Sequence, residues 1–344
     1  LSFRSAHLRN LTMNLTGSSS GSIIVMTEFD CVQFTQWLES CKFLSHVHIR
    51  GMACKKVNEL FFYSTSIQVM DISFAGFSSN EHTKASNAPV TLTITSVPLR
   101  ELYIKGTHNV MLRTPNVETL HIGYINNVGD ITFAPLPAAS SSSFSTSANG
   151  KHVYAPVNLT LVKPGRQCMR LIKALKTHRL ERLHINASKH EQSITHTSVM
   201  ELVNTSPKLT HLELEAVDFG VTHLQFTHAK MTHVRLQNVP CLVSVFLNCS
   251  KMVSLVINQC NQFAGLTIER VRDKKAAATL QLGNLMHLNL DSTAVLLPFF
   301  AELSKQKFDT NLQFVSLQRC DMLDKSFAAQ VRRENKTQKK WEQM

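Results

Sequence analysis

The residues of this chain best able to do chemistry are its histidines, 16 in 344 positions, and half of them fall at one repeated place. His46, His211, His223, His233 and His287 stand just before the middle apolar residue of an L-x-x-L-x-L pattern; His48, His121 and His184 stand just after it. On a strand, both positions point away from the buried side. Arg182, Arg235 and Tyr103 hold equivalent places. Imidazole and guanidinium groups there offer hydrogen-bond donors and flat stacking surfaces, which suits recognition of an acidic protein or an RNA. His211, His223, His233, Arg235, His287, Arg182 and His184 are therefore the candidate partner-binding residues. His211 and His233 lie one coil apart and could share an ion, but no carboxylate or thiolate at ligand spacing completes a set. Neither a metal nor a cofactor is assigned.

A second group of candidates is cationic. Arg270, Arg272, Lys274 and Lys275 form one cluster, and Arg332, Arg333, Lys336, Lys339 and Lys340 form another near the C-terminal end. Each could pair with phosphate or with an acidic partner, in contacts that weaken with salt. Neither carries the aromatic interleaving of a sequence-reading RNA module. Residues 17–21 spell G-x-S-x-G, the pattern of a hydrolase nucleophile elbow, but within a Gly/Ser stretch and not between a strand and a helix. Phosphate-binding P-loop, H-E-x-x-H and strand-borne G-x-G-x-x-G patterns are missing, so no catalytic residues and no small-molecule substrate are assigned. The eight cysteines include no C-x-x-C pair; Cys249, Cys260 and Cys320 follow strand-like runs and are expected to be buried, reduced and structural.

The elements that must hold these residues come from apolar spacing. The template recurs at Leu44/Val47/Ile49, Leu99/Leu102/Ile104, Val117/Leu120/Ile122, Leu180/Leu183/Ile185 and Leu209/Leu212/Leu214. It tightens through Val221/Leu224/Phe226, Met231/Val234/Leu236, Leu242/Val245/Leu247, Met252/Leu255/Ile257 and Phe263/Leu266/Ile268. Leu285/Leu288/Leu290 and Leu312/Val315/Leu317 close the series. Each predicts a half-buried strand. From Leu212 to Val234 the spacing is 22 and from Val234 to Leu255 it is 21, while from Leu224 to Val245 and from Val245 to Leu266 it is 21. Two interleaved ladders of one period predict a coil with a strand on each side. Elsewhere a helix is expected in place of the second strand, over 32–40, 168–176, 198–204 and 294–305; Pro207 closes the third of these.

This series resembles the irregular leucine-rich repeats of the ribonuclease-inhibitor-like and F-box-associated kind, with Cys260 and Cys320 at the position those repeats give to Asn or Cys. The resemblance covers roughly 43–320, strongest from Leu180 onward and weak over 55–97. It implies an α/β repeat fold: a curved leucine-rich-repeat solenoid with short parallel strands and irregular helices or second strands on the opposite side. The expected organisation is a flexible N-terminal segment over 1–30, the solenoid over 31–323 with a Ser-rich low-complexity insertion at 135–152, and a basic tail over 324–344. Up to Thr27 the chain holds no acid, a composition like that of a mitochondrial transit segment.

With a formal net charge of +12, the chain attracts phosphate backbones and acidic protein surfaces. No apolar run reaches the length needed to span a bilayer; the best, over 294–303, is broken by Pro298. The expected function is a non-catalytic interaction scaffold. It would be an intracellular subunit of a larger assembly, leaning toward a ribonucleoprotein such as a mitochondrial ribosome or its assembly machinery, with protein partners and RNA reached through basic loops and the tail. Two alternatives stay open. One is the substrate-recognition subunit of a ubiquitin ligase. The other is an extracellular binding protein, suggested by N-x-S/T sequons at Asn10, Asn14, Asn158, Asn186, Asn204, Asn248 and Asn335.

Overall fold

The computed structural model describes residues 7–15, 25–54, 57–75, 91–107, 109–123, 131–133, 155–163, 177–187, 195–268, 284–295 and 313–320. They fall into two compact units, Leu1–Leu180 with Glu191–Ile194, and Glu181–His190 with Thr195–Met344. Each is built from parallel strands stacked in sequence order, a leucine-rich-repeat-like solenoid in architecture.

In the first unit one sheet runs β1 (Asn10–Asn14), β3 (His46–Cys54), β5 (Val69–Phe74), β7 (Glu101–Lys105), β9 (Thr119–Gly123) and β11 (Asn158–Val162), with β2 (Val25–Met26) on the far end of β3. A second parallel sheet orders β4 (Glu59–Ser64), β6 (Thr91–Ser96), β8 (Asn109–Arg113) and β10 (Ile131–Phe133). In the coil before β4, a helix takes the place of the second strand: α1 (Glu28–Ser40) sets Phe34 edge-on to Phe62 of β4, with ring centroids 6.4 Å apart. Thr27 caps α1 by accepting from the Asp30 N–H, while Asp30 accepts from the Thr27 N–H in return.

The second unit repeats this plan. Its first sheet runs β12 (Arg182–Asn186), β13 (His211–Glu215), β15 (His233–Gln237), β17 (Ser254–Asn258), β19 (His287–Asn289) and β20 (Phe314–Ser316). Its second sheet holds β14 (His223–Thr227), β16 (Ser244–Asn248) and β18 (Gly265–Ile268). Between β12 and β13 the chain forms α2 (His196–Asn204), capped by Thr195 and buried through Val199, Leu202 and Val203. The expected 21-residue coils with two strands are thus present, and 198–204 is helical as expected.

Among the described residues the strands turn their template residues inward, except at β20, where Val315 of the expected Leu312/Val315/Leu317 repeat is 46% exposed. Val47, Ile49, Met70, Ile72, Leu102, Ile104, Leu212, Leu214, Leu255 and Ile257 are all within 1% of full burial. In-register pairing, such as Leu212 with Val234 and Leu255 with Leu288, stacks them into continuous apolar rows. Each such side chain contributes at most ~1.5–3 kcal/mol by leaving water. Two residues past the last inward residue the backbone turns left-handed, at Gly51, Gly106, Lys163, Ala216, Asn238, Gln259, Ser292 and Arg319, with φ between 46° and 76°. That flip aims the N–H of the turn residue at the next coil, as from Ala216 to the Gln237 carbonyl and from Asn238 to the Asn258 carbonyl, both 2.9 Å. The residue after the turn points inward, so Met52 and Thr107 in the first unit, and Val217, Val239, Cys260, Thr293 and Cys320 in the second, are buried.

Three expectations need correction. The segment 55–97, read as weak, carries β4, β5 and β6. Between β3 and β10 the opposite side is a strand in each coil, not a helix. The N-terminal extension expected over 1–30 is ordered within the fold at Asn10–Asn14, which pairs residue for residue with His46–Arg50 of β3, and again from Val25 into α1. The expected helix over 168–176, nearly all of that over 294–305, the G-x-S-x-G segment, the insertion at 135–152 and the tail over 324–344 lie outside the described residues.

Candidate binding face

The outward positions of the second unit's first sheet make three parallel rows. Register aligns Arg182, His211, His233, Ser254, His287 and Phe314 in the first row. The second row holds His184, Glu213, Arg235, Val256 and Asn289, and the residue in register after them, Ser316, is buried. The third begins Asn186, Glu215, Gln237 and Asn258. Six of the seven candidate partner-binding residues therefore share one face. The seventh, His223, does not: it lies on β14 of the other sheet, where its Nδ1 meets the Ser244 hydroxyl at 2.6 Å. Its pattern is identical to that of His233, and only the alternation of the two ladders separates them.

A hydroxyl just before the histidine orients the ring in three coils. The Thr210 hydroxyl donates to the Glu181 carbonyl at 3.0 Å and lies 2.8 Å from His211 Nδ1. Thr232 repeats this toward the Thr210 carbonyl and His233, as Ser45 does toward the Arg9 carbonyl and His46. A hydroxyl has one proton, and here the carbonyl takes it. The imidazole must then supply the proton between Nδ1 and oxygen, leaving Nε2 as a bare acceptor in the neutral ring.

His211 and His233 stack, with centroids 4.2 Å apart and planes 7° from parallel. Both are held below the ordinary histidine pKa, His211 by burial, then His233 and Arg182, and His233 by burial, then Arg182 and His287. Beside them, Glu213 and Arg235 pair at 3.3 Å, and Arg235 also donates to the Gln237 side chain at 2.6 Å. Asn186 donates to Glu215 at 2.6 Å, and His184 Nε2 lies 3.8 Å from the same carboxylate. At the end of the face, His287 meets Phe314 edge to face at 4.7 Å, and Phe314 is 52% exposed.

The first unit carries a related row on its first sheet: His48, Asp71, Tyr103 and His121 on successive strands. His48 Nδ1 is 3.7 Å from Asp71, the Tyr103 hydroxyl donates to Glu101 at 3.3 Å, and the rings of Tyr103 and His121 lie 5.7 Å apart. Asp71 was not among the sequence candidates because Ile67, Met70 and Ile72 fill the template without a leucine. Among the described residues no three His, Cys, Asp or Glu side chains gather as a metal site. No helix among them is long and apolar enough to cross a membrane. Arg270, Arg272, Lys274, Lys275, Arg332, Arg333, Lys336, Lys339 and Lys340 lie outside the described residues.

No protein-family model, curated protein or solved structure matches this chain. Its function is therefore read from the face alone. Neutral imidazoles offer acceptors, an exposed aromatic closes one end, and the guanidinium of Arg235 is already paired. Such a surface can meet N–H donors and apolar groups, and Arg182, exposed at the start of the row, adds a cation.

Proposed function

We propose that the chain is a non-catalytic protein-binding scaffold, a subunit of a larger assembly that docks a partner on the outward face of β12, β13, β15, β17, β19 and β20. The observation that carries this reading is the in-register row Arg182, His211, His233, Ser254, His287 and Phe314, in which the His211 and His233 rings are fixed by the threonine hydroxyls before them. Side chains held in one rotamer before contact lose little entropy on binding, which is what a docking surface gains from preorganisation. An RNA-containing assembly, including a mitochondrial one, is the second reading. It is favoured by the net charge of +12 and by the two basic clusters.

The test is affinity purification of the tagged full-length chain at moderate salt, with and without nuclease, beside a His211→Ala/His233→Ala variant and a Gln225→Lys control on the other sheet. Partners lost in the double variant, retained in the control and indifferent to nuclease support protein docking on this face. Partners lost to nuclease or high salt support the ribonucleoprotein. A cullin adaptor among the partners would turn the reading to a ubiquitin ligase, and glycan-bearing peptides to an extracellular binder. Partners retained by the double variant remove this face from the proposal.

A further inference from the structure

Cys31 and Cys54 are 23 positions apart in sequence, yet their Sγ atoms are 3.8 Å apart. The local fold brings them together. Strand β2 pairs with the end of β3, placing Met26 beside Cys54. Thr27 then caps α1, and Cys31 sits one turn into the helix, its N–H on the Thr27 carbonyl at 3.0 Å. One helical turn returns the side chain over the strand that β2 has just left. Both thiols are at most 2% exposed.

Neither sulfur behaves like the other buried cysteines. Cys260 and Cys320 face backbone carbonyls inside the coil, at 3.8 and 3.0 Å, and have a packing role there. Cys31 and Cys54 face each other. Either thiol can donate to the other; their contact holds the Cys31 pKa down and, with burial, raises that of Cys54. The pair also lies where packing is thin: Cys31 and Leu38 are the two buried residues of the 13-residue helix α1, and Phe29 and Val32 beside them are exposed.

We propose that Cys31 and Cys54 form a redox-active pair that closes to an intrachain disulfide, clasping α1 to the first coil. The oxidant is a hydroperoxide, hydrogen peroxide being the smallest. The Cys31 thiolate attacks one peroxide oxygen, breaking the O–O bond, and leaves as sulfenic acid while hydroxide departs and takes up the thiol proton as water. The Cys54 sulfur then attacks the Cys31 sulfur; the S–O bond breaks, and the Cys54 proton leaves with that oxygen as a second water. Two thiols are oxidised by two electrons, and one peroxide is reduced to two waters. Closing the sulfurs from 3.8 Å to a bond of about 2.05 Å needs side-chain rotation and a small approach of helix to strand.

The experiment uses the full-length chain, reduced and then exposed to hydrogen peroxide, alkylated under denaturing conditions and mapped by mass spectrometry without reductant. The expected result is a peptide pair joined through Cys31 and Cys54, lighter by two hydrogens than its reduced halves. Thermal unfolding of the oxidised chain should begin ~2 °C or more above that of the reduced chain, reversibly with reductant. Cys31→Ser should abolish both the linked peptide and the shift. Wild-type protein whose Cys31 and Cys54 are both fully alkylated after peroxide, or in which either sulfur is linked instead to Cys41 or another cysteine, overturns the proposal without relying on any variant.

Discussion

His211 and His233 lie face to face on neighbouring strands, 4.2 Å between ring centroids, each with Nδ1 turned back to the threonine before it. Two rings so placed cannot both take a proton without cost, because the second charge faces the first and Arg182 stands beside them. The unfolded chain takes these protons near pH 6.5, the folded chain lower. The folded state thus binds fewer protons, so the pair's contribution to stability is complete above about pH 6.5 and is lost as pH falls through the depressed folded values.

That sign gives the first expectation. Between about pH 7.5 and 5, the Tm of the wild type should fall further than that of a His211→Asn/His233→Asn variant. Every other titrating group is common to both, so the difference in slope isolates the pair. Parallel curves would show that the stack has no effect on proton binding.

The Glu213 and Arg235 pair should behave differently in stability and in binding. At 34% and 48% side-chain exposure its net stabilisation is small, and Arg235→Ala should change unfolding free energy by less than about 1 kcal/mol in urea titration. If the face is the docking surface, the same substitution weakens partner capture. The charge swap Glu213→Arg/Arg235→Glu should restore the first property and not the second. Capture restored by the swap would mean that only the pair, not its orientation toward a partner, matters.

Inside the coil, Thr107 is fully buried and its hydroxyl has no hydrogen-bond partner among the described residues, while Val217 and Val239 fill the equivalent sites. Thr107→Val keeps the shape and removes an unsatisfied polar atom. It should leave stability unchanged or raise it by about 1 kcal/mol in equilibrium denaturation. A loss of more than that would reveal a bond the hydroxyl makes in solution.

Asp291 is the converse case. One carboxylate oxygen accepts from the Ser316 hydroxyl and from the Gln318 N–H, both at 2.6 Å, and the other from the Asn289 amide at 3.0 Å. Asp291→Ala should cost about 1–3 kcal/mol, and hydrogen exchange should locate the loss at β19 and β20. Uniform loss of protection across the second unit would place the effect in the core instead.

How far the sequence could be read depended on which side chains filled the template. From Leu209 to Phe263 the pattern is unbroken, so both ladders and their common period were legible, and with them the alignment of His211 with His233. Over 55–97 the same geometry is written with Ile67, Met70, Ile72, Phe62 and Ile94, and a search anchored on leucine passes over it. The side of the coil on which His223 falls was not legible, because both ladders spell one motif. The closeness of Cys31 and Cys54 was hidden for another reason: it depends on the two-residue strand β2, too short to leave a periodic signal. The left-handed turns were equally silent, since Lys163, Ala216, Gln259, Ser292 and Arg319 are not residues that announce a positive φ.

The two-sided coil has a consequence for how such a chain could change over generations. His233 pairs with Ser254 and Ser244 with Gly265, so both sheets advance by the same 21 positions (254 − 233 and 265 − 244). Loss of 233–253 would seat β13 beside β17 and β14 beside β18 with every apolar row still in step. Length is thereby quantised: ancestry can add or subtract whole windings, each altering reach by one strand spacing of about 4.8 Å. A single residue inserted within a strand has no such freedom, because it turns the side chains that follow it to the opposite face; a loop can absorb one, as the 22 positions from His211 to its partner His233 show.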